Sequence, residues 1–272
     1  IMNYVENILI WSTVFLYVIS FVSHLSGLLR QRPRALVFAT RALYAGIASH
    51  VLSILARWAR SGHAPVTDGY ELDVTGTCLA MFLYIVLERL RRVDRAIGLV
   101  VVPVIFLALG HGIVVSSEPV PMGPAYHSLW LVVHVIFAWL AFGSFVVATG
   151  AAGILLWREH WPSHAAVALF PSCEELDLSA YRCIVFGVIN HAVMLVSGAI
   201  WARKLWGRYW SWDALETWSL IVFLYYVLYL HARTFLGWRM RKAAWLSVAG
   251  LLIVIVSFWG VNWFAPSVHP GL

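Results

Sequence analysis

The residues best suited to chemistry stand in one short segment, Trp206-Gly207-Arg208-Tyr209-Trp210-Ser211-Trp212-Asp213. Trp206, Trp210 and Trp212 fall within seven residues, and Gly207 allows the backbone to approach a ligand closely. Tryptophan often collects at membrane interfaces, because its ring is apolar while its N–H needs a polar partner, and this covers most of the 15 tryptophans. The density of this segment, which ends in Asp213, instead predicts a flat aromatic platform for a large planar ligand.

Histidine supplies the second chemical group. The chain has 11 histidines, which is a high number for so apolar a sequence. An imidazole inside a membrane needs a partner, either a hydrogen bond to a neighbouring helix or a metal ion. The depth of each histidine bears on this choice, and that depth depends on where the helices lie.

Composition predicts an all-α integral membrane protein. Of the 272 residues, 61% are hydrophobic and 12% are charged, and the mean hydropathy is +0.81, so no water-soluble core could hide the apolar surface. Eight segments approach or exceed the roughly 17 to 25 residues of a spanning helix; they are residues 8–29, 36–56, 72–87, 96–115, 128–157, 180–201, 214–232 and 243–264. We expect one membrane domain, residues 1–272, forming a polytopic transmembrane bundle of about eight helices, with a cytoplasmic connection at 158–179 and an outer tryptophan-rich loop at 202–213.

Lysine and arginine predict the orientation of this bundle. If the N-terminus is outside, thirteen of the 19 basic residues fall in cytoplasmic connections, around residues 30–34, 89–95, 158–182 and 233–242. Five basic residues then fall outside, namely Arg57, Arg60, Arg203, Lys204 and Arg208. The positive-inside rule therefore favours an N-out and C-out arrangement. The net charge of +6 is mainly a signal of topology and does not indicate nucleic acid binding.

The predicted helices place four histidines at two depths. His134 lies about 9 Å from the outer end of the fifth helix, and His269 follows the last helix on the same side. His231 and His24 lie roughly 26 and 24 Å below the outer ends of their helices. Two pairs of imidazoles, with an aromatic platform over the outer pair, suit haem iron held by axial histidines. Ordinary hydrogen bonds between helices are the alternative.

A polar pair begins the seventh predicted helix. Asp213 precedes this helix, and Glu216 follows three residues later. The spacing has the form of a capping box, in which each side chain accepts the backbone N–H of the other residue. This structural role is compatible with ligand binding by the tryptophans.

The tryptophan segment and its surroundings resemble a known family. The run from Trp206 to Asp213 matches W-G-x-x-W-x-W-D and, with the flanking residues 198–202 and 230–233, is similar to the haem-handling WWD family. Within that family the whole chain most resembles the CcsA (ResC) proteins of system II cytochrome c biogenesis. Residues 128–135, Ser-Leu-Trp-Leu-Val-Val-His-Val, are similar to the family segment S-x-W-L-x-x-H-V, and Gly260-Val261-Asn262 precedes the C-terminal histidine as in the family.

This resemblance implies a site and a function. A haem would lie beneath the tryptophan loop with His134 and His269 as axial ligands, and His231 would bind haem within the membrane. The partner of His231 is expected from a companion subunit of the CcsB (ResB) type; His24 is a substitute chosen from depth alone. The resemblance implies that non-covalent haem b crosses the lipid membrane and is attached to the Cys-x-x-Cys-His motif of an apocytochrome c.

The same resemblance implies a component of a holocytochrome c synthase. Its membrane would be the bacterial inner (plasma) membrane or the thylakoid membrane, with the tryptophan loop on the periplasmic or lumenal side. No residue has the pattern of a nucleophile beside a base, so the expected contribution of the protein is to bind and orient haem. Cys78, Cys173 and Cys183 form no Cys-x-x-Cys-His motif, so the chain is not itself a c-type cytochrome.

Some residues depart from the family pattern. Ala214-Leu215-Glu216 stands where the family has Pro-Lys-Glu, and residues 65–72 match the segment P-x-x-N-x-x-E-S only in part. Two other classes therefore stay open. One is a b-type haem subunit for electron transfer with quinol, and the other is a transporter of a different amphipathic ligand. The sequence shows no evident internal repeat, which disfavours the transporter.

Overall fold

Within the residues that the structure describes, 2–115, 118, 123 and 126–261, the computed structural model contains eight long helices and no strand. The helices are α1 Met2–Leu29, α2 Pro33–Ser61, α3 Gly69–Arg89, α4 Gly98–Val114, α5 Leu129–His160, α6 Cys173–Trp206, α7 Ala214–Phe235 and α8 Arg241–Ile255. A π-helical turn, Val256–Gly260, continues α8. With this turn added to α8, and with the short helical turn Arg95–Ile97 added to α4, all eight are long and apolar enough to cross a membrane. The predicted all-α transmembrane bundle is therefore confirmed.

The sixth helix begins earlier than its hydropathy predicts. The Ser172 hydroxyl accepts the N–H of Glu175 (3.1 Å), and the Glu175 carboxylate accepts the N–H of Ser172 (2.9 Å). This capping box draws the acidic residues that follow into the first turns of α6, which starts at Cys173. The connection predicted at 158–179 is consequently shorter, residues 161–172.

α5 lies at the centre of the bundle and packs against α3, α4, α6 and α8. Glycines allow this close packing. A Cβ at Gly76 of α3 would stand 1.8 Å from Cε2 of Trp139, and a Cβ at Gly187 of α6 would stand 2.5 Å from Cε1 of Phe145. Small residues at such contacts let membrane helices approach closely, which matters because lipid gives little hydrophobic drive for helices to associate. The helix that carries His134 is thus fixed between its neighbours.

The four basic connections meet at one end of the bundle, called the basic end below. Ser179 Oγ of α6 donates to the carbonyl of Arg92, between α3 and α4 (3.3 Å). Gln31, between α1 and α2, donates to a carbonyl of the connection between α5 and α6. Arg233 of α7 forms a bidentate salt bridge with Asp177 of α6 (2.8 and 2.6 Å). This is the arrangement that the predicted orientation requires.

The opposite end, called the loop end because it carries the tryptophan segment, holds a buried ionic cluster that was not predicted. Arg57 is 2% exposed and donates to Glu71 (2.8 Å) and to Asp68 (3.1 Å). Glu6 of α1 lies 3.7 Å from Nη1 of Arg57 and 3.2 Å from Nε of Arg60. Because buried charges need partners, the cluster joins the ends of α1, α2 and α3. α2 therefore continues past its predicted end at residue 56.

Candidate functional site

The tryptophan segment forms the turn between α6 and α7. α6 continues through Trp206 and ends at Gly207, whose φ of +75° lies in the left-handed region and whose N–H donates to the carbonyl of Arg203 (3.1 Å). Glycine adopts this helix-ending conformation without opposition from a Cβ. The turn thus spans residues 207–213 instead of the predicted 202–213, and Trp206 stands on the last turn of the helix.

Trp212 has an unusual backbone conformation and an exposed side chain. Its φ is +60°, which few residues other than glycine adopt, and its side chain is 70% exposed. Its ring packs edge to face against Trp210, with centroids 5.8 Å apart. Nε1 of Trp210 is buried and has no hydrogen-bond partner among the described residues. Buried indole N–H groups usually have a partner, so Trp210 offers a donor to a ligand.

The predicted capping box is correct for Asp213 and wrong for Glu216. Asp213 Oδ1 accepts the N–H of Glu216 (2.8 Å) and so begins α7 as expected. The Glu216 carboxylate instead accepts the N–H and the Oγ of Ser211 (2.6 and 3.1 Å). The chain turns at Trp212, so Ser211 is the residue that faces the carboxylate. Glu216 therefore fastens the tryptophan turn to the first turn of α7.

His134 lies near the start of α5 with its ring held against α6. Its Nδ1 lies 2.9 Å from the carbonyl oxygen of Met194. A carbonyl oxygen only accepts, so Nδ1 carries the proton and Nε2 carries the lone pair that binds a metal. A backbone carbonyl that orients a histidine in this way is a common arrangement around metal-binding imidazoles. The geometry of His134 thus fits an axial ligand of haem iron.

Trp201 of α6 joins His134 to the tryptophan turn. Its ring is 6% exposed and lies 6.4 Å from the His134 ring, 6.0 Å from that of Trp206 and 6.5 Å from that of Tyr126, measured between centroids. Sequence reasoning noted Trp201 only as part of the surroundings of the motif and gave it no role. The sequence signal was the spacing of Gly198 and Trp201, which places both residues on the α6 face towards α5.

A second cluster at the loop end was also missed. His111 Nδ1 of α4 donates to Asp73 of α3 (2.6 Å), and Trp259 Nε1 donates to both oxygens of the same carboxylate (3.3 and 3.4 Å). Asp73 is 7% exposed, and its burial in a membrane helix is tolerated because these donors satisfy it. The carboxylate thus ties the last described turn of the chain to α3 and α4.

His24 does not fit a haem ligand in this structure. Its ring is fully buried on α1, and Nδ1 donates to the carbonyl of Ser20 (2.9 Å), so Nε2 carries the lone pair. Nε2 has no hydrogen-bond partner, yet a Cβ at Gly98 of α4 would stand only 2.7 Å from it and 2.6 Å from the hydroxyl of Tyr84. The surrounding helices leave no room for a porphyrin.

His231 lies on the exposed side of α7. Its ring stacks on that of Phe235, with centroids 4.7 Å apart. α7 packs against α6 and α8, whereas the helix of His24 packs against α2 and α4. The structure therefore does not bring His231 and His24 together. His269 lies outside the described residues, and among the described ones no group of three or more histidine, cysteine or acidic side chains could hold a metal ion.

The sequence of this chain is similar to those of known proteins. A cytochrome c biogenesis protein CcsA from Prochlorococcus marinus (strain MIT 9312) is 32% identical over 247 residues, which are 80% of this chain and 79% of that protein. The CcsA protein of strain NATL2A is 34% identical over 251 residues, 79% of each.

The fold has a counterpart among solved structures. A structure titled Cytochrome c Heme Lyase CcmF superposes with a TM-score of 0.71 at 16% identity, covering 98% of this chain and 47% of that one. At this identity the likeness concerns the fold alone. The family described as Cytochrome C assembly protein matches residues 70–269, and the chain therefore belongs to that family.

Proposed function

We propose that this chain binds haem and presents it for covalent attachment to apocytochrome c. One observation carries the proposal. The Nδ1 proton of His134 is engaged by the Met194 carbonyl, which makes Nε2 the nitrogen for iron, and Trp201 joins this imidazole to the tryptophan turn. Membership of a cytochrome c assembly family and similarity to proteins named for cytochrome c biogenesis support it.

The residues around His134 would each have a role in holding non-covalent haem b. His134 and His269 would be the axial ligands of the iron at the loop end. Trp206 and Trp212, 40% and 70% exposed, would face the ring, and the N–H of Trp210 would donate to a carboxylate of the haem. Gly207 ends α6 and Asp213 begins α7, so these two residues position the tryptophans between the helices.

His231 would bind haem at a second position within the membrane. Because its ring is exposed on α7, a second imidazole would approach from outside this chain, and we expect a subunit of the CcsB (ResB) type to provide it. The packing around His24 makes that residue unsuitable for the role. Lysine and arginine at the basic end support an N-out and C-out orientation, with the tryptophan turn on the periplasmic or lumenal side of a bacterial inner or thylakoid membrane.

Attachment adds a cysteine thiol of the apocytochrome across each vinyl group of haem. The sulfur bonds to one vinyl carbon and the hydrogen passes to the other, so no group leaves. The protein would accelerate this addition by holding the two vinyl groups towards the incoming Cys-x-x-Cys-His motif, because correct orientation removes much of the entropic barrier. Haem and the thiols supply the reactivity, and the chain supplies the geometry.

The alternative of quinol-linked electron transfer is less well supported, since the related proteins are named for cytochrome c biogenesis. The two functions differ in outcome. A synthase component transfers its haem covalently to an apocytochrome, whereas an electron-transfer subunit keeps its haem and is reduced by quinol.

The test is to purify the chain with and without a CcsB-type subunit and record absorption spectra and pyridine haemochromes. We expect b-type haem in the wild type, with losses in His134→Ala, His269→Ala and His231→Ala and recovery of the first two with added imidazole. Incubation with an apocytochrome should then yield haem that resists acid extraction. Bound haem that is unaffected by all three substitutions would overturn the site assignment, and reduction by quinol without covalent transfer would overturn the function.

A further inference from the structure

A cavity of about 500 Å³ lies between α5 and α8 at the basic end, opposite the tryptophan turn. Three of the residues that line it are tryptophans, Trp157, Trp161 and Trp245, and its rim carries His160 and Arg241. Pockets of this size accommodate small molecules, and a mainly aromatic lining with a few polar groups is typical of them. None of these residues belongs to the site around His134.

Gly153 shows that the cavity is a space which the helix packing leaves open. A Cβ at Gly153 would meet nothing nearer than a methyl group of Val100, at 3.9 Å. One turn earlier, a Cβ at Gly150 would stand 2.8 Å from Ile97. The absence of a side chain at Gly150 therefore serves contact between helices, whereas at Gly153 it enlarges the cavity.

The tryptophan wall is held in place by the connection between α5 and α6. The Trp157 ring packs edge to face against Phe170, with centroids 5.3 Å apart. Beside it, Arg158 Nη1 donates to the carbonyls of Val167 (3.2 Å), Phe170 (3.0 Å) and Pro171 (3.1 Å). This fixed connection gives Trp157 a defined position, whereas Trp161 and Trp245 present more than half of their surface, 56% each.

The polar groups of the rim favour an anionic ligand on one side. Arg241 is the first residue of α8. The backbone N–H just before it, that of Met240, already donates to the carboxylate of Asp177 (2.9 Å), so the guanidinium of Arg241 is the group of this helix end that is available to an anion. A guanidinium attracts carboxylates and can bind them through two hydrogen bonds. Glu159 also lines the cavity and repels carboxylates, so anionic groups are directed away from it and towards Arg241. His160 lies on the rim with its ring 4.4 Å from that of Trp161.

We propose that this cavity is a haem-loading site at the basic end of the bundle, an inference that rests on the proposed function. Haem would lay its flat ring against Trp157, Trp161 and Trp245, direct its carboxylates to Arg241, and offer its iron to His160. A phospholipid headgroup would share the negative charge but has neither a flat ring nor an iron. The three indoles and the imidazole therefore favour haem.

The test titrates haemin into the purified full chain in nanodiscs of neutral phosphatidylcholine, in a background of His134→Ala and His231→Ala that removes both haem ligands proposed above. Three variants probe the cavity. Gly153→Leu fills it, Arg241→Gln removes its charge, and His160→Ala removes its imidazole. Gly110→Leu and Arg239→Gln are the matched controls, because a Cβ at Gly110 meets nothing within 4 Å and Arg239 is exposed.

We expect Gly153→Leu and Arg241→Gln to weaken haemin binding about tenfold or more, as loss of a charged hydrogen bond or of the ring site implies. His160→Ala should shift the Soret band, and imidazole should restore it, whereas both controls should bind normally. Unchanged haemin binding in the cavity variants would overturn the proposal. It would also be overturned if these variants lost a copurified anionic phospholipid and still bound haemin normally. If the chain with its original His134 and His231 still binds haemin in that case, the proposed function stands; a wild-type chain that binds no haemin would end both.

Discussion

Nδ1 of His134 donates to the backbone carbonyl of Met194 across 2.9 Å, and the contact depends on the absence of a side chain at Gly198. A Cβ at position 198 would stand 2.6 Å from the same nitrogen. If a side chain had been the partner of His134, its residue type could have been recognised in the sequence. Every residue has a backbone carbonyl, so the only sequence feature connected with this hydrogen bond is the neighbouring glycine, Gly198.

Gly198→Ala should therefore displace the His134 ring and impair haem binding at the loop end. Loss of a group that orients a metal-binding histidine typically lowers affinity by roughly 10 to 100-fold. We expect haem content, measured by pyridine haemochrome, to approach that of His134→Ala, and added imidazole to restore part of it.

Gly110→Ala is the control for this substitution, since a Cβ at Gly110 has open space around it. It should retain wild-type haem content and thermal stability. Normal haem content in Gly198→Ala, with the His134→Ala variant depleted, would show that the ring does not need the orientation described.

Glu216 should control the order of the tryptophan turn. Glu216→Ala removes the acceptor of the N–H and the hydroxyl of Ser211, at a cost of about 1–3 kcal/mol for an unsatisfied group. We expect faster proteolysis within residues 207–213 and weaker haem retention, while Glu216→Gln, which keeps an acceptor oxygen, should recover most of both. Equal behaviour of the two variants would mean that the carboxylate does not fasten the turn.

The number and order of the helices were predictable because each span is a long apolar run, which composition alone reveals. Helix ends were not, since polar residues there belong to caps and clusters. Arg57 illustrates this point. A sequence shows a charge that should avoid lipid, whereas the structure buries it against Glu71 and Asp68, partners that come from the next helix and its cap.

The residues of the candidate site differ in how visible they are in the sequence. The tryptophan spacing and the segment ending in His134 were visible as residue types, whereas Trp201 and Asp73 depend on which faces of neighbouring helices meet. His24 shows the converse error. Its depth matched that of His231, but depth carries no information on lateral position, and the two residues lie on helices with different neighbours.

Arg57→Ala should strongly destabilise the fold irrespective of haem. It leaves Glu71, 1% exposed, without its cation, and breaking a buried ion pair from one side costs about 3–5 kcal/mol. We expect a clearly lower Tm in detergent, followed by intrinsic fluorescence with and without added haemin. Arg34→Ala, an exposed arginine on the same helix, should leave Tm unchanged. Equal Tm values for both variants would contradict a stabilising role of the cluster.

Asp73 should influence haem binding through the C-terminal segment. Trp259 donates to Asp73, and His269 follows ten residues later in the chain. Asp73→Ala should therefore release the end of α8 and lower haem retention as His269→Ala does. If Asp73 acts only by positioning His269, then adding Asp73→Ala to His269→Ala should cause no further loss of haem. Effects of coupled residues are not additive.

His111→Ala separates this effect from the other partner of Asp73. It removes the histidine but leaves Trp259 in contact with the carboxylate, so haem content should stay close to the wild type. A loss in His111→Ala equal to that in Asp73→Ala would instead assign the effect to the histidine pair. In that case the anchoring of the C-terminal segment by Trp259 would not be the cause, and the role of His269 would have to rest on its own substitution.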